Sequence, residues 1–420
     1  MKSSFHHSMF TKRRKAVLMK KVNRYTQIIT ALCKKNDYTS PESALCIASD
    51  TAYQQSIKKV LKSFSGVQQV ILVGIGGSSL GTEAVYQALA YTTSPKLLVT
   101  DIVDTESLVR LESCINTVSN LRDVVLIVVS KSGTTTETMF NGVKALELCE
   151  KKFGKAFSKQ VIFIGDNDTD FLKIGKKRKV ICISLPSIIS GRFSVFSAVG
   201  IVPLTLLGID IISFCEGAQE ALTKKNIQNI QESAVTLALH AENGVHTVNF
   251  FTFNKRLELC GHWYRQLLAE SIGKQMTTKG TSFQHQLLPI VSTGVDLHSM
   301  MQLYLGGYTN IYTHFVYFDE QHPHNLPSAH WLLNTIPFLS GKNVRDIQGA
   351  IMQGVLTAYD DQKLPYRVTP LEKCSAHEVG YLLASCMAEV MCLAYLLNVN
   401  AFDQPSVELY KKHTRVKLSK

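Results

Sequence analysis

The chain has 420 residues, 45% hydrophobic and 19% charged, and 45 Lys and Arg against 33 Asp and Glu give a formal net charge of +12. That length exceeds one ordinary core, so two domains of roughly 150 to 200 residues each are expected, and the composition excludes a disordered chain. Ten cysteines without C-x-x-C spacing argue against a zinc ribbon or disulfide scaffold and fit reduced, buried thiols of a cytosolic protein.

At the N-terminus, Lys12, Arg13, Arg14 and Lys15 precede an apolar stretch, Ala16 to Met19, that Lys20 and Lys21 cut too short for a signal peptide. Val17, Met19, Val22, Tyr25, Ile28, Ile29 and Leu32 recur at helical spacing, predicting helix across 10–64 with a break and fresh start at Ser40-Pro41-Glu42. Residues 1–65 are read as a helical lead-in.

From Val67 the pattern changes to unalternated β-branched runs, each ending in a Gly, Ser or Thr loop and followed by a helical stretch. Strands are predicted at 70–73, 97–99, 124–129, 161–164 and 180–185. Such runs suit strands covered on both faces, hence a doubly wound parallel α/β domain over 66–215. A linker near 211–225 leads to a second α/β domain, 225–400, with strands at 245–251, 287–291 and 313–318. A long apolar helix follows over 376–397, and 401–420 form a C-terminal segment and basic tail. The apolar runs, such as 124–129 and 181–189, stop short of the roughly 18 residues of a membrane span, so none is expected.

The densest basic run is Lys176, Lys177, Arg178 and Lys179. It lacks interleaved aromatics and no nucleic-acid motif accompanies it, so it is read as a solvated face whose field also favours a dianionic substrate; no nucleic-acid partner is expected.

Two loops carry chemistry. Gly74-Ile75-Gly76-Gly77-Ser78-Ser79-Leu80-Gly81 joins a predicted strand to a helix, where backbone N–H groups can approach an anion. It is no dinucleotide fingerprint, because Ser79 stands where a third glycine belongs, and no P-loop, because the Gly-Lys pair is missing. Ser130-Lys131-Ser132-Gly133-Thr134-Thr135-Thr136-Glu137-Thr138 puts six hydroxyls in nine residues at a strand end, which gives a phosphate monoester donors on several sides without a metal. Both loops lie where open α/β sheets bind ligands.

These loops resemble the sugar-phosphate isomerase (SIS) domain of the phosphoglucose isomerase family. Further motifs follow in that family's order: Ser190-Gly191-Arg192-Phe193-Ser194-Val195, Gln266-Leu267-Leu268-Ala269-Glu270-Ser271-Ile272-Gly273-Lys274, Asp296-Leu297-His298-Ser299, and Phe402-Asp403-Gln404-Pro405-Ser406-Val407-Glu408-Leu409-Tyr410-Lys411. The resemblance implies two SIS-type α/β/α sandwich domains and an aldose-ketose isomerase of glycolysis and gluconeogenesis, acting on glucose 6-phosphate and fructose 6-phosphate with no cofactor or metal. It further implies a cytoplasmic homodimer with a shared active site.

In that resemblance Glu270 is the base, Gln266 sits four residues earlier on the same helical face, and Arg192 stabilises the enediolate. His298 and Lys411 open the sugar ring, with Glu137 orienting the histidine. Gly77, Ser78, Ser130, Lys131, Ser132 and Thr135 bind the phosphate end, and Gln404 reaches the phosphate or a nearby hydroxyl. Apolar neighbours such as Trp263 and Leu267 are expected to surround the Glu270 carboxylate and raise its basicity. The chain departs from the family at Ser190, Ile272 and Ser406. His285 lies too close to Glu270 in sequence to be the ring-opening histidine, and neither His6 with His7 nor His322 with His324 has a third ligand at metal-site spacing. Two rivals stand beside this assignment. A phosphosugar sensor would not need the four catalytic residues, and an isomerase that also accepts mannose 6-phosphate fits the Gln266 and Glu270 pair less well.

Overall fold

A computed structural model of the chain describes residues 3–8, 10–35, 38–90, 95–320 and 324–419. Numbered along the chain, its strands are β1 (Ser4–His6), β2 (Gln69–Val73), β3 (Lys96–Thr100), β4 (Val124–Val129), β5 (Val161–Asp166), β6 (Ile181–Leu185), β7 (Thr247–Thr252), β8 (Leu288–Thr293), β9 (Ile311–Phe318) and β10 (Tyr366–Leu371). The β-branched runs become strands buried on both faces, as in β4 and β7, where every residue is buried.

Strands β3-β2-β4-β5-β6 form one parallel sheet, and β1-β10-β9-β7-β8 form a second in which only β1 runs antiparallel. In the first sheet the chain steps outward from β2 to β3, then returns to the other side of β2 for β4. The order therefore reverses between β2 and β4, where Val73 stands opposite Val128. The loops that begin at Gly74 and Ser130 thus leave the sheet side by side, flanking the crevice in which doubly wound sheets take their ligands.

The two sheets are joined through helices. The second-sheet helix Glu258–Ile272 packs on the first-sheet helix Leu80–Leu89. Leu259 N donates to the Gln87 side chain at 3.0 Å, and Arg256 Nε donates to the Ala88 carbonyl at 2.7 Å. Val70 and Val125 of one sheet and Val248 and Val316 of the other share a single apolar core. Glu270 and Gln266 are carried into the boundary by that helix.

Two sequence expectations are corrected, the linker at 211–225 and the wholly reduced cysteines, and two further elements are described with them. Residues 211–225 are not a linker: Ile211–Ala221 is a helix whose buried Phe214, Cys215, Ala218 and Ala221 form an apolar face. It crosses the helix Ala376–Leu397 so closely that a Cβ on Gly217 would lie 1.9 Å from the His377 carbonyl oxygen. Ala376–Leu397 has the length and apolarity of a membrane span, at mean hydropathy 1.7, and 89% of its apolar window is buried inside the protein. Its one deeply placed charge, Glu389, is neutralised by Arg367 rather than interrupting the helix. Cys33 and Cys46 are joined in a disulfide rather than both reduced, because the chain turns back after the helix Lys12–Lys35 and brings their Cα atoms to 4.4 Å. Finally, β10 was not among the predicted strands; its Pro370 lies beyond the three residues that β1 pairs with, so the missing N–H leaves no gap on that side.

Candidate active site

The glycine loop after β2 closes as a short turn, Gly76–Ser78, that leads into the helix Leu80–Leu89. Gly77 is packed on the turn Gly191–Phe193: a Cβ there would lie 2.3 Å from the Gly191 carbonyl carbon and 2.5 Å from Arg192 N. Ser194 Oγ donates to the Gly77 carbonyl at 3.2 Å. Only a residue without a side chain allows this approach, and it fixes the direction in which Arg192 leaves the backbone.

Arg192 is 2% exposed. Its Nε donates to Ser271 Oγ at 3.0 Å, and Nη1 donates to Glu270 Oε2 at 3.1 Å and Gln404 Oε1 at 2.6 Å. Nη2 donates to the carbonyls of Ala401 at 2.5 Å and Asp403 at 3.1 Å. Burial pushes the guanidinium below its ordinary range, with Glu270 and Asp403 opposing that shift; five acceptors in fork geometry hold a cation that only arginine supplies.

Glu270 lies on the last turn of its helix with its side chain 32% exposed. One oxygen accepts from Gln266 Nε2 at 2.9 Å and the other from Arg192. Trp263 and Leu267 are buried, but the immediate partners of the carboxylate are an amide and a guanidinium, not the apolar lining expected from the sequence. Gln266 also stands beside Gly76, so the glycine loop, the arginine turn and the carboxylate form one continuous surface.

The hydroxyl-rich turn after β4 leads into the helix Thr136–Phe153. Ser130 Oγ accepts from Gly133 N at 3.1 Å and Ser132 Oγ accepts from Thr134 N at 3.3 Å, which holds the turn in shape. Ser132 and Thr134 are exposed, and Thr135 is half-buried at the helix N-terminus, where backbone N–H groups lack partners. Burial pushes the Lys131 ammonium below its ordinary range, with Asp166 opposing. Charge, hydroxyls and helix end all suit an anion.

Other expected residues stand apart. Lys411 Nζ donates to Glu408 Oε1 at 2.8 Å on the helix Val407–Leu418, which buries none of its residues. His298 is exposed just after the turn Gly294–Leu297, and among the described residues no hydrogen bond joins it to Glu137. Gln404 faces Arg192. Of the three departures, Ser190 Oγ is buried without a partner, Ile272 belongs to the core, and Ser406 is exposed. His7 Nε2 pairs with Asp360 at 2.8 Å and His6 stacks on Tyr366. His322 lies outside the described residues. Lys176 to Lys179 are exposed. Residues that sequence reasoning gave no role are Ser271, Lys274 and Asp403. All three lie within the motifs quoted from the sequence, near the residues given roles, and that placement was the only signal.

A two-sheet α/β protein with a hydroxyl-rich turn at its switch point and a carboxylate held against a buried arginine has the form of a phosphosugar-handling enzyme. Residues 51–419 match the family model described as phosphoglucose isomerase, and the chain belongs to that family. It is 32% identical over 383 residues to a glucose-6-phosphate isomerase of Clostridium tetani, covering 87% of this chain and 84% of that one. It is 28% identical over 375 residues to the glucose-6-phosphate isomerase of Methanocaldococcus jannaschii, covering 86% and 87%. Among solved structures, a hypothetical protein of Thermus thermophilus shares the fold at TM-score 0.84 and 23% identity over both full chains. A glucose-6-phosphate isomerase from Chlamydia trachomatis does so at 0.75 and 20%, covering 90% of this chain and 75% of that one.

Proposed function

We propose that the chain interconverts D-glucose 6-phosphate and D-fructose 6-phosphate. The observation that carries this is the contact set of Glu270: a carboxylate at the boundary of the two sheets, held by Gln266 and by a buried Arg192, on the surface that begins beside the phosphate-suited turn. Ser130, Ser132 and Thr135, with Ser78, Gly77 and Lys131, receive the phosphate. The sugar ring opens through proton transfers by His298 and Lys411. Glu270 then takes the C2 proton and returns it at C1, while Arg192 faces the oxyanion of the enediolate.

A cytoplasmic homodimer is part of the same proposal. The His298 side chain is exposed and makes no hydrogen bond among the described residues, its backbone N–H alone being bonded, to the Val295 carbonyl at 3.0 Å, which suits a residue that completes the site of a neighbouring copy. Lys411 would exchange its exposed Glu408 partner for the substrate, a trade that costs little because such pairs contribute about 0–1 kcal/mol.

The test is turnover of fructose 6-phosphate, read by coupling glucose 6-phosphate formation to NADP reduction, in wild type and Glu270→Gln. Removing the base is expected to lower kcat by about 10²–10⁴-fold with phosphosugar binding retained. Equal turnover in both proteins would refute the role of Glu270.

A further inference from the structure

Lys274 lies two residues beyond the helix that carries Glu270, and its side chain is only 8% exposed. The last carbonyls of a helix have no intrahelical partner. Here Ala269 O accepts from Gly273 N and Ile272 O from Lys274 N, both at 2.8 Å. The carbonyl of Glu270 itself accepts from Lys274 Nζ at 2.9 Å. The same ammonium donates to the Asp403 carbonyl and pairs with the Asp403 carboxylate at 2.9 Å. Arg192 Nη2 holds that same Asp403 carbonyl from the other side, and the next residue, Gln404, is bound by Arg192 Nη1.

We propose that Lys274 is a positioning residue for the isomerisation: its ammonium fixes the backbone of the base to the segment 401–404, and through that segment sets the approach of the helix bearing Lys411. The inference rests on the isomerase function proposed above. A surface ion pair with the half-exposed Asp403 carboxylate would matter little. What distinguishes Lys274 is that a buried cation binds two main-chain carbonyls, one belonging to Glu270, and no other described group holds the Glu270 carbonyl outside its helix. Burial pushes this ammonium below the ordinary lysine range, with Asp403 and Glu270 opposing and Arg192 adding to the shift. The contacts with Asp403 and Glu270 offset only part of this unfavourable setting, so the ammonium is held there by the fold at a cost.

The experiment compares Lys274→Met and Lys274→Arg in the full chain, using fructose 6-phosphate turnover and thermal unfolding. Small misplacements of catalytic groups cost up to about 10²-fold, so the methionine variant is expected to lose at least about tenfold in kcat with KM within about threefold. The arginine variant, which keeps charge and donors, is expected to recover most of that loss. A methionine variant with wild-type kcat, or an arginine variant as impaired as methionine, overturns the positioning role. Should the methionine variant fail to fold, Lys274→Gln, which keeps a donor without charge, is judged by the same kcat criterion. If wild type does not turn over fructose 6-phosphate, the isomerase function fails instead; if Glu270→Gln is inactive while Lys274→Met is not, only the positioning role falls.

Discussion

The Glu270 carboxylate and the Arg192 guanidinium stand 3.1 Å apart although 78 residues separate them in the chain. In the proposed reaction this pairing keeps local charge nearly constant. When Glu270 takes the substrate proton it becomes neutral and releases its hold on Nη1 as negative charge appears on the enediolate. The freed donor is already oriented, so stabilising the oxyanion requires little reorganisation.

Replacing Arg192 with lysine tests that arrangement. One ammonium cannot reach Ser271, Glu270, Gln404 and the carbonyls of Ala401 and Asp403 together. Each buried acceptor left unpaired costs about 1–3 kcal/mol. Arg192→Lys is expected to lower the urea midpoint and reduce kcat by about tenfold or more, consistent with the loss of preorganised donors. Unchanged stability and turnover would show that the fork geometry is unimportant.

Gly77→Ala probes the contact that aims Arg192. The new methyl would meet the Gly191 carbonyl carbon at 2.3 Å, and backbone cannot swing aside as a flexible side chain can. A cost of about 1–3 kcal/mol is expected, with kcat falling as the arginine turn is pushed back. Thermal unfolding and steady-state kinetics report the two effects separately.

Much of this was legible in the sequence, and the exceptions share a cause. The β-branched runs at 70–73, 124–129 and 161–164 marked strands because burial on both faces selects such residues, and the loops at Gly74 and Ser130 announced themselves by composition. The pairing of Gln266 with Glu270 followed from helical spacing. The roles of Lys274 and Asp403 were not legible, since a side chain bound to main-chain carbonyls leaves no pattern in residue types. Helix Ile211–Ala221 was misread because its small residues, needed for the close crossing at Gly217, resemble those of a linker. The Cys33–Cys46 disulfide depends on a turn that spacing alone does not specify.

Away from the site, His240 makes stability depend on pH. Burial pushes it down to about 4, where it bonds Ser8 Oγ at 2.9 Å and packs against Phe10 and Tyr312. The unfolded chain binds a proton at this residue below about pH 6.5, whereas the native state refuses it until about pH 4. Stability from this source is therefore complete above pH 6.5 and declines as pH falls toward 4, by on the order of 1–3 kcal/mol. Urea unfolding across that range is expected to show a shallower decline in His240→Phe than in wild type. Parallel declines would remove His240 from the explanation.

The most direct test of the proposed chemistry follows the proton itself. Glucose 6-phosphate and the enzyme are incubated in D2O, and the C2 hydrogen is monitored by proton NMR, in wild type and in Glu270→Gln. Wild type is expected to replace that hydrogen with deuterium as it equilibrates aldose and ketose, and the glutamine variant to leave the C2 signal intact while still binding the sugar phosphate. Exchange at the wild-type rate in the variant would contradict the assignment of Glu270 as the base.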